Sequence, residues 1–529
     1  MANTRRGRVN QVVLDLDEDE LESKVLAQLG LPRAALRRIE VLRRSWDARH
    51  RPRLLHNLEV EFDADAKLAH PEELRPCPSL KPWTYPKPQQ RQRIAVLGAG
   101  PAGLFAAITL ARGGQDVTLF DRGKLVAERS RDVASIFGQG RIDPNSNICF
   151  GFGGAGTWSD GKLSTRIDAP ELRSVFEAFC ELGAPRDILI DARAHLGTDR
   201  LFPLMSSFEA LLRDEGVRIR PQSLVRRLLL EARELRGLEL DNGEQEHFDR
   251  VILATGHSAR ELFASLVEQG VAVEKKAFAV GLRIEHPQSL IDQLQYGRYA
   301  GHPRLPVAEY RLSTQLKPLS RGVYSFCMCP GGCIVASSTL EDGIVVNGMS
   351  DSARSGPFAN AAIVVTVDER DFSEYGLDAL SGIAFQEALE RRCHQAAERT
   401  QHAPAQSLLD FLHARPPKQP IRSSYRPGVS PFPLHQLLPP QLVEALRAGL
   451  QAFDRKMPGF ITETATLHAI ESRTSSPLRV LRGPTFESIS HRHLYPCGEG
   501  AGYAGGISSS AVDGLRVARR ILDELGGRA

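Results

Sequence analysis

The segment from Arg93 to Arg122 constrains the fold of this chain more than any other feature. Residues 94–97 form an apolar run typical of a buried strand, and three glycines spaced Gly-x-Gly-x-x-Gly follow them. A helical pattern over 101–112 comes next, and a second strand pattern over 117–120 leads to Asp121, an acid suited to ribose hydroxyl groups. This order predicts a βαβ unit whose first turn binds a dinucleotide.

The glycines of the turn have separate roles in that prediction. Gly98 permits the tight turn, and Gly100 lets backbone N–H groups approach a pyrophosphate at the helix N-terminus. Gly103 lets the helix pack closely on the strand. The same spacing recurs at 151–156 and at 500–505, but neither copy opens a βαβ unit. We therefore expect one dinucleotide site of this type.

Patterns on either side of the βαβ unit predict further domains. Alternating apolar residues at 12–16 and 58–62, with a helical pattern between them, indicate a small N-terminal α+β domain. Six prolines between 71 and 88 predict a stiff, extended connector. Later strand patterns and a helical pattern over 381–398 predict an α+β substrate domain. The expected boundaries are 1–92 for the N-terminal domain and linker, 93–274 and 465–529 for the two parts of the nucleotide-binding domain, and 275–464 for the substrate domain inserted between them.

Two distant segments favour FAD over NAD as the nucleotide. A strand pattern over 251–254 meets Thr255 and Gly256, where a glycine turn allows the backbone to approach a cofactor. Near the C-terminus a strand pattern at 494–495 leads through a glycine-rich loop into a long amphipathic helix. The chain thus returns to the cofactor after the inserted domain.

The N-terminus of that last helix predicts a role in flavin chemistry. At Gly506 and Ile507 it presents free N–H groups and a partial positive charge. If these groups face the pyrimidine edge of a flavin, they stabilise the negative charge that develops when a hydride arrives at N5. The protein would then tune a cofactor that carries the redox chemistry itself.

The motifs GAGPAGLFAA, FGFGGAGTWSDGKL, HLGTDRL, ATGHSAR, YSFCMCPGG, ESRTSSPLRV and YPCGEGAGYAGGISSSAVDGL extend over most of the chain. In them the sequence resembles the uncharacterised FAD-dependent dehydrogenases of bacteria, within the glutathione-reductase-like group of FAD/NAD(P)-binding flavoproteins. The resemblance implies bound FAD and redox activity. It also implies an α/β fold, with a Rossmann-like FAD-binding domain of ββα three-layer form, an inserted α+β substrate domain and the small N-terminal α+β domain.

The resemblance also implies which residues hold the cofactor. Asp121 and Arg122 would lie at the adenosine half, Glu499 near the ribityl chain, and residues 503–507 along the flavin. The glycine cluster at 153–157 would line the flavin or the pyrophosphate, with an ordinary loop as the alternative. The full set is Gly98, Gly100, Pro101, Ala102, Gly103, Asp121, Arg122, Gly153, Gly154, Ala155, Gly156, Thr157, Ser159, Lys162, Val225, Ala254, Thr255, Gly256, Gly498, Glu499, Tyr503, Gly505, Gly506 and Ile507.

Cys327 and Cys329 are candidates for chemistry in the substrate domain. Their spacing in a strand pattern would send both side chains to one face, roughly 6 to 7 Å apart. That separation disfavours an unstrained disulfide, so we expect free thiols close enough to the flavin to affect turnover. A redox-active disulfide is the alternative. No metal is expected, because a second Cys/His cluster does not accompany these cysteines.

Arg473 is the third catalytic candidate. It lies where the chain would return to the FAD-binding domain, and its guanidinium is expected to bind an anionic or carbonyl substrate over the flavin. Glu471 would orient it. Neither disulfide motif of the glutathione reductase type, with two cysteines spaced by two or four residues, is present. A standard disulfide reductase is therefore not expected.

Charge and composition narrow the class of function. Lys and Arg number 67 against 64 Asp and Glu, and this net charge of +3 is too balanced to suggest a nucleic-acid-binding protein. The N-terminal residues do not resemble a signal peptide, and eight cysteines are too few for a disulfide scaffold, so we expect a cytoplasmic protein with reduced thiols and no membrane association. The expected partner is a small-molecule substrate; the sequence does not predict an oligomeric state.

Some alternatives remain open at this point. A second fingerprint for NAD(P)H is absent, so a nicotinamide reductant would have to bind transiently in the substrate cleft. The main enzymatic alternative is a flavin monooxygenase. The other is a non-enzymatic protein with an FAD-type fold, associated with RNA through the arginine-rich segment 37–53.

Overall fold

The N-terminal domain is an α+β unit, as expected. The computed structural model describes residues 3–77, 84–418 and 420–527. Strand β1 pairs with β3 and β4, and β2 forms the far edge of an antiparallel sheet ordered β2-β3-β1-β4. The elements are β1 (Thr4–Asp15), α1 (Leu21–Leu29), β2 (Leu36–Asp47), β3 (Arg53–Asp63) and β4 (Leu74–Arg75).

Two features of this domain differ from the expectation. Residues 37–47 of the arginine-rich segment lie in the edge strand β2, where charged residues make up half of the sequence and hide the strand pattern. The proline-rich connector begins later than its first proline, since Pro71 starts a helical turn and β4 follows it. Pro78 and Pro82 of that connector lie outside the described residues.

The predicted FAD-binding domain has the three layers that the resemblance implies. A parallel sheet ordered β22-β11-β5-β6-β7 lies between helices and a three-stranded antiparallel sheet of β8, β9 and β10. Ile94 and Val96 of β5 pack against the helices, whereas Ala95 and Leu97 pack against the antiparallel sheet. This alternation explains why β5 reads as a continuous apolar run: both faces of the strand are buried.

The first part of this domain is built from β5 (Arg93–Leu97), α2 (Pro101–Arg112), β6 (Asp116–Phe120), α3 (Val126–Gln139), α4 (Glu171–Glu181), α5 (Thr198–Asp214), β7 (Arg218–Arg220), β8 (Val225–Glu231), β9 (Glu234–Leu240), β10 (Gln245–His247), β11 (Arg250–Leu253), α6 (Arg260–Glu268) and β12 (Val273–Lys275).

The inserted domain contains a large mixed sheet ordered β14-β15-β17-β13-β20-β18-β19, with β16 paired to β15. Its central strands and covering helices enclose the largest apolar core of the chain. The elements are β13 (Phe278–Pro287), α7 (Gln288–Tyr296), β14 (Ser313–Leu316), β15 (Arg321–Ala336), β16 (Val346–Met349), β17 (Phe358–Val367), α8 (Glu369–Phe372), α9 (Ser381–Ala396), β18 (Ala403–Ser407), α10 (Leu408–Leu412), β19 (Val429–Pro431), α11 (Pro440–Lys456) and β20 (Thr466–Glu471).

The expected boundary after residue 464 falls too early. Strand β20 pairs with β13 and β18, so the sheet of the inserted domain continues to Glu471. The chain then re-enters the FAD-binding domain through β21 (Leu478–Val480), which pairs with β12, the strand by which it left. The remaining elements are β22 (Leu494–Pro496) and α12 (Ile507–Leu525). None of the described helices is long and apolar enough to cross a membrane.

Candidate active site

The first glycine turn joins β5 to α2 with little free space on its inner side. A Cβ atom at Gly98 would overlap the carbonyl oxygen of Ala254, and one at Gly103 would overlap that of Gly98. At Gly100, by contrast, the nearest atom to a Cβ would be 3.8 Å away. The N-terminus of α2, with Pro101 and then Ala102 in its first turn, therefore has open space beside it where a pyrophosphate would bind.

A second glycine loop packs directly on this turn. The N–H of Gly153 donates to the carbonyl oxygen of Ala99 at 2.8 Å. A Cβ at Gly154 would lie 2.8 Å from the Cα of Gly100, so the two backbones meet face to face. The loop predicted to line the cofactor thus lies beside the fingerprint turn.

The side chains of this second loop have unequal surroundings. Ala155 is exposed, whereas Thr157 is buried. Ser159 closes its own turn, since its hydroxyl donates to the carbonyl oxygen of Gly156 at 2.7 Å and accepts from the N–H of Gly161 at 3.0 Å. The Ser159 hydroxyl therefore makes its hydrogen bonds within the loop.

Arg129 of α3 holds the second loop in place, a role that sequence reasoning missed. Its guanidinium is fully buried, lies 4.3 Å from the ring centroid of Trp158, and donates five hydrogen bonds to backbone carbonyls. Burial lowers its pKa to about 10. The helical spacing of Arg129 with Val126 and Val133 was the available signal, because it places the arginine on an apolar face. The accepting carbonyls are those of Asn147, Ile148, Gly151, Phe152 and Gly154.

Two more turns complete the cofactor side of the site. Thr255 follows β11, and its Cα would lie 2.9 Å from a Cβ at Gly98. After β22, a Cβ at Gly498 would lie 2.8 Å from the Cβ of Ala102, and one at Gly500 would overlap the carbonyl oxygen of Gly256. Four turns from distant parts of the sequence therefore converge at the carboxyl ends of parallel strands, where this class of sheet binds its ligands.

The converging turns contain polar atoms that suit a nucleotide. Thr157 Oγ1 and Thr255 Oγ1 are buried, and within the described residues neither has a hydrogen-bond partner. Buried hydroxyl groups are normally hydrogen-bonded, so these two hydroxyls are suited to bonding with a ligand. With the N-termini of α2 and α12, they fit a cofactor that carries phosphate and ribityl oxygens.

The residues at the predicted adenosine end are held by neighbouring groups. Asp121 accepts hydrogen bonds from the N–H groups of Ala99 and Gly123, each at 2.8 Å. Arg122 forms an ion pair with Glu261 at 3.2 Å. Val225 begins β8 with its side chain buried in the core. The Asp121 carboxylate is thereby fixed at the end of β6, and a carboxylate has further lone pairs for ribose hydroxyls.

The predicted flavin end is the N-terminus of α12. Glu499 is half-buried, and its carboxyl group lies near the N–H of Gly506. Burial raises the pKa of Glu499 to about 7, although Lys276 and that N–H oppose the shift. Gly505 donates to the hydroxyl of Ser509 at 3.1 Å. This end of the site therefore combines a helix N-terminus with a carboxyl group that titrates near neutral pH.

Ile507 and Tyr503 lie on either side of this helix start. A Cβ at Gly156 would lie 3.0 Å from Cγ1 of Ile507, which brings the second glycine loop against α12. The hydroxyl of Tyr503 donates to the carbonyl oxygen of Val480 and accepts from the N–H of Arg482, both at 3.1 Å. The Tyr503 hydroxyl thus makes its hydrogen bonds with the end of β21 and with a residue just after that strand.

Lys162 connects the cofactor side to the inserted domain. Its ammonium donates to Asp160 Oδ2 at 2.7 Å and to the carbonyl oxygen of Met328, between the two candidate cysteines. Both Cys327 and Cys329 are free thiols. The expectation that they stand on one face of an extended strand is wrong, because Cys327 has φ +43° and β15 carries a register shift there.

The expectation that Glu471 orients Arg473 is also wrong. Strand β20 ends at Glu471 and the chain then turns, so the two side chains no longer share a face. Glu471 instead pairs with Arg283 at 3.0 Å, and both groups are buried. Arg473 pairs with Glu390 at 2.8 Å, and Arg260 pairs with the same carboxylate at 2.9 Å.

A hydrogen bond connects Arg473 to the turn at Gly256 on the cofactor side of the site. Its Nη1 donates to Thr339 Oγ1 at 2.7 Å and to Ser258 Oγ at 3.2 Å. Ser258 follows the turn at Gly256. Sequence reasoning missed Arg260, Arg283 and Glu390, because their partners lie on other elements far away in the chain.

Comparison with known families agrees with this geometry. Residues 93–305 match a family described as FAD dependent oxidoreductase, residues 277–474 match one described as FAD-dependent protein, C-terminal domain-like, and residues 7–63 match a domain of unknown function. The chain is 38% identical over 535 residues to an uncharacterised protein of Clostridium beijerinckii (strain ATCC 51743 / NCIMB 8052), with 98% of each chain covered.

Solved structures show only distant similarity. The flavin-dependent brominase Bmp2 triple mutant is 11% identical, with 83% of this chain and 81% of that chain covered and a TM-score of 0.36. Glycine oxidase from Bacillus cereus ATCC 14579 is 10% identical, with 83% and 96% covered and a TM-score of 0.32. At these scores neither similarity supports an argument about the reaction.

The fold, the converging turns and the matched families define an FAD-dependent oxidoreductase with FAD as its cofactor. Within that class, the chain belongs to the same family as the Clostridium beijerinckii protein, since the two are similar along almost their whole lengths.

Proposed function

We propose that this oxidoreductase transfers a hydride between N5 of the flavin and a small-molecule substrate, in a cleft between α12 and the strand β15. FAD supplies, when bound, the ring that takes up and releases the two electrons. The observation that carries the proposal is the hydrogen bond from Lys162, which follows the second glycine loop, to the carbonyl oxygen of Met328 in β15. The same loop lies against the start of α12, because a Cβ at Gly156 would be 3.0 Å from Cγ1 of Ile507.

The N-terminus of α12 is assigned to charge stabilisation. The first N–H groups of a helix have no intrahelical partners, and its dipole favours negative charge. Glu499 is assigned to holding a proton, because burial keeps its carboxyl group neutral up to about pH 7. A neutral carboxyl beside the helix start leaves the positive end of the dipole available to the reacting centre.

Three further residues are assigned roles: two lie in strand β15 of the inserted domain, and one follows strand β20. Cys327 and Cys329 are proposed to border the substrate, since the carbonyl oxygens of 327 and 328 are held by cations of the active site. Arg473 is proposed as a positioning residue, because its guanidinium is fixed by Glu390 and holds the hydroxyl of Ser258 beside the Thr255 turn.

Three finer points belong to the same proposal. A nicotinamide cofactor, NADH or NADPH, is proposed as a transient reductant that enters the substrate cleft. Placement in the glutathione-reductase-like group is supported by the ββα layering of the FAD-binding domain. A cytoplasmic location is supported by the eight cysteines, all of which are unpaired.

The RNA-associated alternative receives less support from the charges on the N-terminal domain. Six of the seven arginines in the predicted binding segment lie within ion-pair distance of carboxylates, which reduces the positive charge available to phosphates. These arginines are Arg37, Arg38, Arg44, Arg49, Arg51 and Arg53.

Anaerobic stopped-flow measurement of flavin reduction in the holoenzyme tests the proposal. NADH, NADPH and a panel of small metabolites would each be mixed with enzyme of known FAD content. We expect at least one to bleach the flavin absorbance with a saturable rate, and deuteration of the transferred hydrogen should slow that rate. Failure of every reductant with fully loaded enzyme, or a saturable reduction without an isotope effect, would count against hydride transfer.

A further inference from the structure

The backbone of β15 leaves extended geometry at Cys327. Its φ of +43° lies in the left-handed region that side-chain-bearing residues seldom adopt, and the pairing of β15 with β17 shifts between Phe326 and Cys329. The bulge turns Cys329 back, and its thiol donates to the carbonyl oxygen of Cys327 at 3.3 Å. The separation that disfavours a disulfide in an extended strand therefore does not apply here.

Two cations hold the bulge in this shape. Arg283 Nη2 donates to the carbonyl oxygen of Cys327 at 2.8 Å and lies 3.6 Å from Cys329 Sγ. Lys162 donates to the carbonyl oxygen of Met328, the residue between the cysteines. A strained backbone persists only where its surroundings support it, and such strain is concentrated at functional sites.

The two thiols differ in character. The adjacent Cys329 side chain, followed by the charges of Lys162 and Arg283, lowers the pKa of the Cys327 thiol. The Cys327 side chain, together with burial, raises the pKa of Cys329. A thiol of lowered pKa beside a second thiol suits the formation and opening of a disulfide.

The pair also lies next to the FAD-binding turns. Lys162 follows the second glycine loop, whose Gly153 bonds to the fingerprint turn. The same loop lies against the start of α12, because a Cβ at Gly156 would be 3.0 Å from Cγ1 of Ile507. The cysteines, the second loop and α12 thus border the same space.

We propose that Cys327 and Cys329 form a redox-active dithiol that exchanges two electrons with bound FAD. In the oxidising direction an S–S bond forms between the two sulfurs and the S–H bond of Cys329 breaks. Two electrons and one proton pass to FAD, which is the oxidant. In the reverse direction the reduced cofactor returns them, and the S–S bond opens to a thiolate and a thiol. This activity goes beyond the proposed hydride transfer and requires only that FAD is bound.

Photoreduction of the oxidised holoenzyme tests the proposal, because electrons then enter through the flavin. The holoenzyme would be treated with diamide, freed of excess reagent, illuminated anaerobically with EDTA, and alkylated. We expect two new alkyl labels, both in the peptide that carries Cys327 and Cys329. The apoprotein, treated in the same way, should gain none. Absence of the new labels from the holoenzyme, or their appearance at Cys333 instead, would overturn the proposal.

Counting electrons gives a second readout. After diamide treatment, reduction of the wild-type holoenzyme should take four electrons per FAD, whereas the C327S and C329S variants should take two. Cys333→Ser is the matched control and should still take four, since Cys333 is a free thiol on the same strand beyond the bulge. Two electrons for the wild type would refute the dithiol. Neither count depends on a substrate, so failure of hydride transfer would leave both unchanged.

Discussion

The FAD-binding side of the site and the inserted-domain side are built from different atoms. On the first, turns meet through backbone, and Gly98, Gly103 and Gly500 have no room for a side chain. On the second, buried ion pairs join distant elements, as in Glu390 with Arg260 and Arg473. A site made of backbone requires glycines at set positions and is visible in the sequence, whereas a site made of ion pairs depends on which elements the fold brings together.

The largest expected effect tests the backbone side. Gly103→Val should abolish folding of the FAD-binding domain, because even a Cβ would overlap the carbonyl oxygen of Gly98. Gly100→Val is the matched control: with the nearest atom 3.8 Å from a Cβ, the apoprotein should fold normally and lose only FAD. Flavin absorbance and thermal unfolding of the two variants distinguish these outcomes. Normal FAD content in Gly100→Val would show that the pyrophosphate binds elsewhere.

The next effect tests the ion-pair side. Glu390→Ala should lower the free energy of unfolding by about 3–5 kcal/mol, since it leaves two buried guanidinium groups without their carboxylate. Glu387 also contacts Arg260, at 3.2 Å, but is partly exposed, so Glu387→Ala should cost less than about 1 kcal/mol. Urea unfolding measures both. Equal losses of unfolding free energy in the two variants would mean that burial of the Glu390 ion pairs contributes little to stability.

A smaller effect concerns the pH dependence of flavin reduction. The pKa of Glu499 is raised to about 7, so the carboxyl is neutral below that pH and charged above it. A negative charge there opposes arrival of a hydride, so the reduction rate should fall about tenfold, or about 1.4 kcal/mol in barrier, as the pH rises through 7.

Glu499→Gln tests this assignment. In that variant the step near pH 7 should disappear, because the amide does not titrate. Glu274→Gln removes an exposed carboxylate that pairs with Arg479 and should leave the step in place. A step that persists in Glu499→Gln would assign it to another group.

The smallest expected effect lies at the boundary between the two sides. Tyr503→Phe removes the hydrogen bonds to Val480 and Arg482, and should lower the free energy of unfolding by about 1 kcal/mol. Because the hydroxyl is directed to β21, FAD affinity should change less than about threefold. Titration of apoprotein with FAD checks this, and a larger loss would place the Tyr503 hydroxyl on the cofactor.

Local patterns were sufficient for the nucleotide-binding elements. Helix α2 spans Pro101–Arg112 as its pattern predicted, and α12 begins at Ile507. In both, the signal lies within a few residues: apolar spacing, a glycine turn and a helix start. The edge strand β2 was not visible, because its arginines interrupt the alternation on which strand prediction depends.

The sequence by itself determined the βαβ unit, because its strands, glycine turn and helix are specified by residues that lie close together in the chain. Only the tertiary structure decided that Glu471 pairs with Arg283, that Arg473 pairs with Glu390, and that Cys327 adopts a bulge. These features depend on charges and strands that meet across more than a hundred residues in some cases. Such meetings follow from the packing of the whole inserted domain, and short-range patterns do not encode them.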